Sequence, residues 1–147
     1  MKKGKKMERY KVILVDDEAE VIDMIEKKIH WNDLGFEVAG SATNGVKALE
    51  LVEKLQPDVV LTDIKMPYMD GLELSRRLNR EYPNIYIMLC TGFDEFEYAK
   101  EAVHLEIKEY MLKPVNATEL SESLTNLKHT LDRERAVSYT HLRAHET

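Results

Sequence analysis

Five polar side chains come at or just after the ends of short apolar runs of the kind that form buried strands. Asp16 and Asp17 follow the first run, Asp63 ends the third, Thr91 follows the fourth and Lys113 follows the fifth. Because the carboxyl ends of parallel strands meet at one edge of a sheet, we expect these side chains to converge there. Such a combination at four strand ends is far more specific than a single strand-terminal aspartate.

The residue types in this predicted cluster suit chemistry on a phosphoryl group. Two carboxylates about 5 Å apart repel by roughly 3 kcal/mol at an effective dielectric near 20, so the cluster favours a bound cation. A hard divalent ion with oxygen ligands, Mg²⁺, meets this requirement. Asp63 is then the available nucleophile, while Lys113 and Thr91 can each hold a phosphoryl oxygen. The sequence therefore predicts magnesium-assisted phosphoryl transfer to Asp63.

The elements that must position these residues alternate between strand and helix. Apolar runs predict five strands, which are Tyr10–Val15, Phe36–Ala42, Val59–Asp63, Ile85–Cys90 and Ile107–Leu112. Apolar residues at helical spacing separate them, and four helices open on a capping residue: Asn44, Asp70, Asp94 and Asn116. This order predicts an α/β fold in which helices cover both faces of a five-stranded parallel sheet in three layers.

Composition and charge limit the class of protein. The chain has 147 residues, of which 44% are hydrophobic and 33% charged, as expected for one soluble globular domain. A net charge of −6 argues against direct nucleic-acid binding by this domain. No apolar run is long enough to span a membrane, so we expect a cytoplasmic protein with no membrane contact. The single cysteine, Cys90, excludes an internal disulfide and is interpreted as a buried hydrophobic residue.

Several motifs in combination resemble the receiver domain of two-component response regulators. They are VDDE at 15–18, LTDIKMPYMDG at 61–71, TG at 91–92 and KP at 113–114. The similarity covers about residues 10–130. The segments WNDLGF at 31–36 and FDEFEYA at 93–99 resemble receivers attached to AraC-type DNA-binding domains. The resemblance implies a doubly wound, flavodoxin-like receiver fold and a sensor histidine kinase as phosphoryl donor.

The resemblance also implies a role for each acidic residue. Asp63 would be the phosphoacceptor. Asp17 and Asp63 would ligate Mg²⁺ directly, together with the backbone carbonyl of Lys65, while Asp16 would act mainly through water. The chain would catalyse only its own phosphorylation and dephosphorylation, so it is not expected to be an enzyme acting on other substrates.

The same resemblance assigns the phosphoryl-binding and switching residues. Thr91 and Lys113 would bind the phosphoryl group, and Lys113–Pro114 would be a cis peptide. Tyr110 would be the aromatic switch that turns inward when Thr91 moves. The output would be transcription regulation through a DNA-binding domain absent from this chain.

The domain boundaries and the oligomeric state are further expectations. We predict a Lys-rich N-terminal extension over 1–9, the receiver domain over 10–135 and a tail over 136–147. The tail loses the helical spacing and is more typical of vector-derived read-through than of a native segment.

Phosphorylation is expected to favour a homodimer through a self-complementary face. This face contains Phe96, Tyr98, Lys100, Glu101, Lys108 and Glu109.

Each site residue also has an ordinary structural alternative. Asp16 could cap the first helix, Thr91 could be a turn residue, Lys113 a solvated surface lysine and Tyr110 part of the core.

Three other classes of protein fit the same residues less well. A haloacid-dehalogenase-type phosphatase needs a second aspartate two residues after its nucleophile, where this chain has Lys65. A phosphorylation-independent pseudo-receiver would be expected to lack part of the pocket, and all five residues are present. A Rossmann or P-loop nucleotide site is excluded because no glycine-rich loop follows the first strand.

Overall fold

The strands form a single parallel sheet in the order β2-β1-β3-β4-β5, as the sequence predicted. The computed structural model describes residues 9–92 and 109–146 of the chain, with side chains described through Val137. The strand bounds are β1 Tyr10–Val15, β2 Phe36–Ala42, β3 Val59–Asp63, β4 Tyr86–Thr91 and β5 Glu109–Leu112. β4 begins and ends one residue later than predicted, because Thr91 pairs with Leu112.

The described helices connect these strands and follow them. Their bounds are α1 Ala19–Lys28, α2 Trp31–Leu34, α3 Gly45–Leu55, α4 Gly71–Glu81 and α5 Ala117–Glu146. Asn44, Asp70 and Asn116 each accept a hydrogen bond from the backbone N–H three residues later, at 2.8, 2.8 and 2.9 Å. These contacts confirm three of the four predicted caps. The helix predicted to open at Asp94 lies outside the described residues, as do positions 107 and 108 of the fifth predicted strand.

Two helical segments differ from the sequence-based prediction. The short helix α2 was not predicted; its Trp31 indole donates to the Glu26 carbonyl at 3.1 Å, and Gly35 ends it with a φ of 92°. The sequence of the tail over 136–147 loses the apolar helical spacing, yet α5 continues to Glu146. Its residues include neither proline nor glycine, and extending an existing helix is far easier than starting one.

The core lies on both faces of the sheet, since alternate residues of a strand point to opposite sides. Val12 and Leu14 of β1 pack with α1 and α5, in a cluster that includes Leu120. Ile13 and Val15 pack with α3 and α4 on the other face. No described helix combines the length and the apolar character that crossing a membrane requires.

Two tyrosines hold α5 at the amino ends of the strands. The hydroxyl of Tyr10, at the start of β1, donates to Asp132 Oδ1 at 2.6 Å, and Arg135 lies 4.6 Å from the centre of its ring. The hydroxyl of Tyr86, at the start of β4, donates to Glu134. Burial and then the carboxylate partner raise the pKa of each tyrosine to about 12. These contacts fix α5 at the edge of the sheet opposite the predicted site.

Candidate functional site

Four of the five predicted site residues are brought together at the carboxyl ends of β1, β3 and β5. Asp16, Asp17 and Asp63 each offer a carboxylate oxygen, and these oxygens lie within 4.8 Å of one another. Lys113 Nζ lies 3.0 Å from Asp16 Oδ2 and 3.2 Å from Asp63 Oδ1. Lys113 is therefore not a solvated surface lysine, because it bridges two buried carboxylates.

Asp63 ends β3, and its two carboxylate oxygens have different surroundings. The side chain is 5% exposed. Oδ1 accepts a hydrogen bond from the Ile64 N–H at 2.9 Å and also faces Lys113. Oδ2 makes no hydrogen bond to a described residue, and no buried side-chain oxygen in the described part of the chain lacks a partner. Oδ2 is therefore the carboxylate oxygen that is open to solvent.

The charges of the cluster oppose one another. Burial, followed by the charge of Asp16, raises the pKa of Asp63 to about 6, although Lys113 and the Ile64 N–H act in the opposite direction. Burial lowers the pKa of Lys113, but its contacts with Asp16 and Asp63 outweigh that effect and leave the pKa raised. Asp63 is thus mostly ionised at pH 7. The charged Lys113 beside it does not fully offset the effects of burial and of the Asp16 charge on its pKa.

Asp16 and Asp17 differ in how many hydrogen bonds and ion pairs their carboxylate oxygens already make. Asp16 is buried; its Oδ1 accepts from the Glu18 N–H at 2.9 Å and its Oδ2 pairs with Lys113. Asp16 does not cap α1, since Glu18 stands at the cap position. Asp17 is exposed and makes no hydrogen bond or ion pair with any described residue. This oxygen-only donor set, with one free carboxylate, fits a hard divalent cation.

Thr91 lies on β4, the strand next to that of Asp63, and Tyr110 lies on β5, one strand further along the sheet. Asp63 pairs with Cys90, which places Thr91 one residue further along β4. Thr91 is fully buried, and its hydroxyl donates to the Gly92 carbonyl at 3.0 Å. Tyr110 is half-buried and packs against a small cluster that includes Ile64, the residue that follows Asp63. Burial raises the pKa of its hydroxyl.

The loop after β3 contains one residue whose importance sequence reasoning missed. A β-carbon on Gly71 would lie 2.1 Å from the carbonyl oxygen of Asp63, and the Gly71 N–H donates to the Ile64 carbonyl at 2.7 Å. Only glycine permits this close approach of α4 to the site. Its sequence signal is an Asp-Gly pair at the start of an amphipathic helix. Lys65 is exposed on the same loop, and the Lys113–Pro114 peptide is cis, as the resemblance implied.

Comparison with known proteins agrees with this fold. The family described as the response regulator receiver domain matches residues 12–125, and the chain belongs to that family. Within it, the chain is 39% identical to the REC domain of AraT, a response regulator from Geobacillus stearothermophilus, with a TM-score of 0.82 over 86% of this chain and 98% of that one. A two-component transcriptional regulator AraC from Clostridium phytofermentans is 31% identical, with a TM-score of 0.80 and the same coverage.

Curated relatives include longer transcriptional regulators. The chain is 42% identical to the uncharacterized transcriptional regulatory protein YesN of Bacillus subtilis, over 85% of this chain and 34% of the relative. It is 34% identical to the transcriptional regulatory protein HptR of Staphylococcus aureus, over 83% of this chain and 48% of the relative. The chain thus spans between a third and a half of the length of these relatives. It is a receiver domain of a two-component response regulator, homologous to receivers of transcriptional regulators.

Proposed function

We propose that Asp63 accepts a phosphoryl group from the phosphohistidine of a sensor histidine kinase. The observation that carries this proposal is the single open oxygen of a buried, strand-terminal carboxylate, Oδ2 of Asp63. A bond would form between Oδ2 and phosphorus while the bond between phosphorus and the donor's imidazole nitrogen breaks. Oδ1 meanwhile stays fixed by the Ile64 N–H, so the nucleophile is oriented before the donor arrives.

Lys113 and Thr91 would hold the transferred group. Lys113 Nζ already lies beside Asp63 and is charged, so it would pair with a phosphoryl oxygen as negative charge arrives at the site. Thr91 is adjacent in the neighbouring strand, and its hydroxyl would exchange the Gly92 carbonyl for a phosphoryl oxygen. Both side chains act by placing hydrogen-bond donors where charge develops.

The acidic cluster would hold Mg²⁺, as receiver domains do at such a group. Asp17 and Asp63 would be direct ligands with the backbone carbonyl of Lys65, and Asp16, whose oxygens are already engaged, would act mainly through water. The bound ion would neutralise charge on the transferring phosphoryl group. Apart from its own phosphorylation and dephosphorylation, the domain would catalyse no reaction.

The phosphorylated domain would regulate transcription through a DNA-binding domain outside this chain. The longer relatives YesN and HptR, both transcriptional regulatory proteins, support this output. Tyr110, which packs against Ile64, would act as an aromatic switch and change position when Thr91 moves.

We propose the receiver boundaries as 10–135. The expected dimer face lies largely outside the described residues, and sedimentation with and without beryllofluoride tests it.

Phosphorylation by acetyl phosphate tests the metal-dependent reaction. In MgCl₂ the chain should gain one phosphoryl group, and excess EDTA should stop the reaction. Asp17→Ala should raise the Mg²⁺ concentration needed for half-maximal rate more than Asp16→Ala, because Asp17 is the free carboxylate. Equal rates in MgCl₂ and EDTA would contradict the proposal.

A further inference from the structure

Exposed apolar side chains lie at the same edge of the sheet as the acceptor site. Four large apolar residues are exposed in the described part of the chain. Three of them lie at the carboxyl edge of the sheet: Tyr68 is 94% exposed, Val46 46% and Leu112 45%. Tyr68 follows β3, Val46 lies in the first turn of α3 after β2, and Leu112 ends β5 next to Lys113. The fourth, Val137, lies far along α5. Among the residues that the structure describes, apolar exposure is therefore concentrated at the edge of the sheet where Asp63 lies.

The exposed residue Tyr68 has an unfavourable backbone conformation. Its φ is +70°, and the Met69 N–H donates to the Pro67 carbonyl at 2.8 Å across it. This is a three-residue γ-turn with a positive central φ, which is a rare and strained conformation for a residue with a side chain. Met66 and Met69 on either side are buried in the core and anchor the loop.

The same loop contacts the beginning of α3. A β-carbon on Gly45 would lie 2.9 Å from Cβ of Met69, so these two segments are in close contact. Their chain neighbours Val46 and Tyr68 are both exposed. The Tyr68 side chain contributes almost no burial to the fold, yet its backbone is strained. Strain of this kind persists where the surrounding structure imposes it and is common at functional sites.

We propose that Tyr68, with Val46 and Leu112 exposed at the same edge of the sheet, is the docking residue for the protein that carries the phosphohistidine. The inference rests on the proposed function. Asp63 is 5% exposed, so a donor histidine has to be brought down to this edge, and a protein donor then covers the surface around it. Tyrosine provides a large apolar contact with a polar tip and dominates many interfaces. The partner surface is therefore an apolar patch beside the donor histidine.

The test compares a protein donor with a small-molecule donor. The protein donor is the phosphorylated cytoplasmic portion of a histidine kinase, chosen from a purified panel as the fastest donor to the wild-type chain. Tyr68→Ala should raise the half-saturating kinase concentration about tenfold, the scale of an interface anchor, and leave the acetyl phosphate rate within about twofold. Tyr68→Asn suits the positive φ but lacks the ring, and should behave like Tyr68→Ala.

Two controls separate docking from loop structure. Tyr68→Phe keeps the ring and should transfer like wild type, and Val137→Ala, an exposed apolar residue away from the site, should change nothing. Wild-type kinase affinity in Tyr68→Ala, or equal losses with both donors, would overturn the inference. Loss of self-association in Tyr68→Ala with unchanged kinase transfer would assign the patch to a second copy and also overturn it. If acetyl phosphate fails to label the wild type, the proposed function itself fails.

Discussion

Replacing Asp63 by asparagine should make the metal-free protein more stable at pH 7, although it removes the proposed acceptor. The carboxylate is buried at the end of β3 and is repelled by the charge of Asp16. Asparagine keeps its size and can still accept the Ile64 hydrogen bond, but it carries no charge. The substitution therefore removes a charge that destabilises the folded state.

The size of this gain follows from the pKa of Asp63. Burial and then the charge of Asp16 raise that pKa from 3.8 to about 6. Since one pKa unit corresponds to about 1.4 kcal/mol, ionised Asp63 costs at most about 3 kcal/mol at pH 7. Water at the open Oδ2 screens part of this cost, so we expect Asp63→Asn to gain about 1–2 kcal/mol in the free energy of unfolding.

The difference in stability between Asp63→Asn and the wild type can be measured by urea unfolding in EDTA. A range of about pH 5 to pH 8 brackets the raised pKa of Asp63. Because the folded pKa is raised, the contribution of Asp63 to stability is present below its unfolded pKa and is lost as pH rises through about 6. The gap between variant and wild type should therefore widen toward pH 7. Asp23→Asn, which neutralises an exposed carboxylate on α1, should change stability by less than about 0.5 kcal/mol. A pH-independent gap, or an Asp63→Asn variant no more stable than wild type at pH 7, would refute the reasoning.

Three further predictions concern other contacts. Mg²⁺ should raise the wild-type Tm, and Asp17→Ala should lose most of that rise in a thermal-shift assay; an equal rise would contradict Asp17 as a ligand. Gly71→Ala should cost about 2–4 kcal/mol in urea unfolding, because its methyl group meets the Asp63 carbonyl, and unchanged stability would contradict that contact. Tyr10→Phe should cost about 1 kcal/mol by losing the hydrogen bond to Asp132. Since the pKa of Tyr10 is raised from 10 to about 12, wild-type stability should fall more steeply than that of Tyr10→Phe as pH rises through that interval, and parallel curves would exclude the linkage.

Much of the fold follows from local patterns in the sequence. The strands β1, β3 and β4 are buried along nearly their whole length, so they appear in the sequence as almost continuous apolar runs. The caps at Asn44, Asp70 and Asn116 depend on contacts three residues apart. The convergence of the aspartates with Lys113 follows because a parallel sheet gathers its strand ends at one edge.

Other features depend on contacts that no local pattern reveals. The sequence predicted that Lys113 would be near the acidic residues, but its bridge to Asp16 joins positions 97 residues apart and depends on packing. The γ-turn at Tyr68 arises because Met66 and Met69 are both buried, and it lacks the glycine that usually marks a positive φ. The continuation of α5 into the tail reflects helix propagation rather than an apolar face, so the loss of hydrophobic spacing did not predict it.

Intact-mass measurement after incubation with acetyl phosphate and MgCl₂ tests the central claim most directly. The wild type and Asp23→Asn should each gain a single phosphoryl group, and Asp63→Asn should gain none under the same conditions. Circular dichroism of Asp63→Asn should match the wild type, which would show that the loss is not caused by unfolding. Labelling of Asp63→Asn to the wild-type extent would contradict the account, because the acceptor would then be another residue.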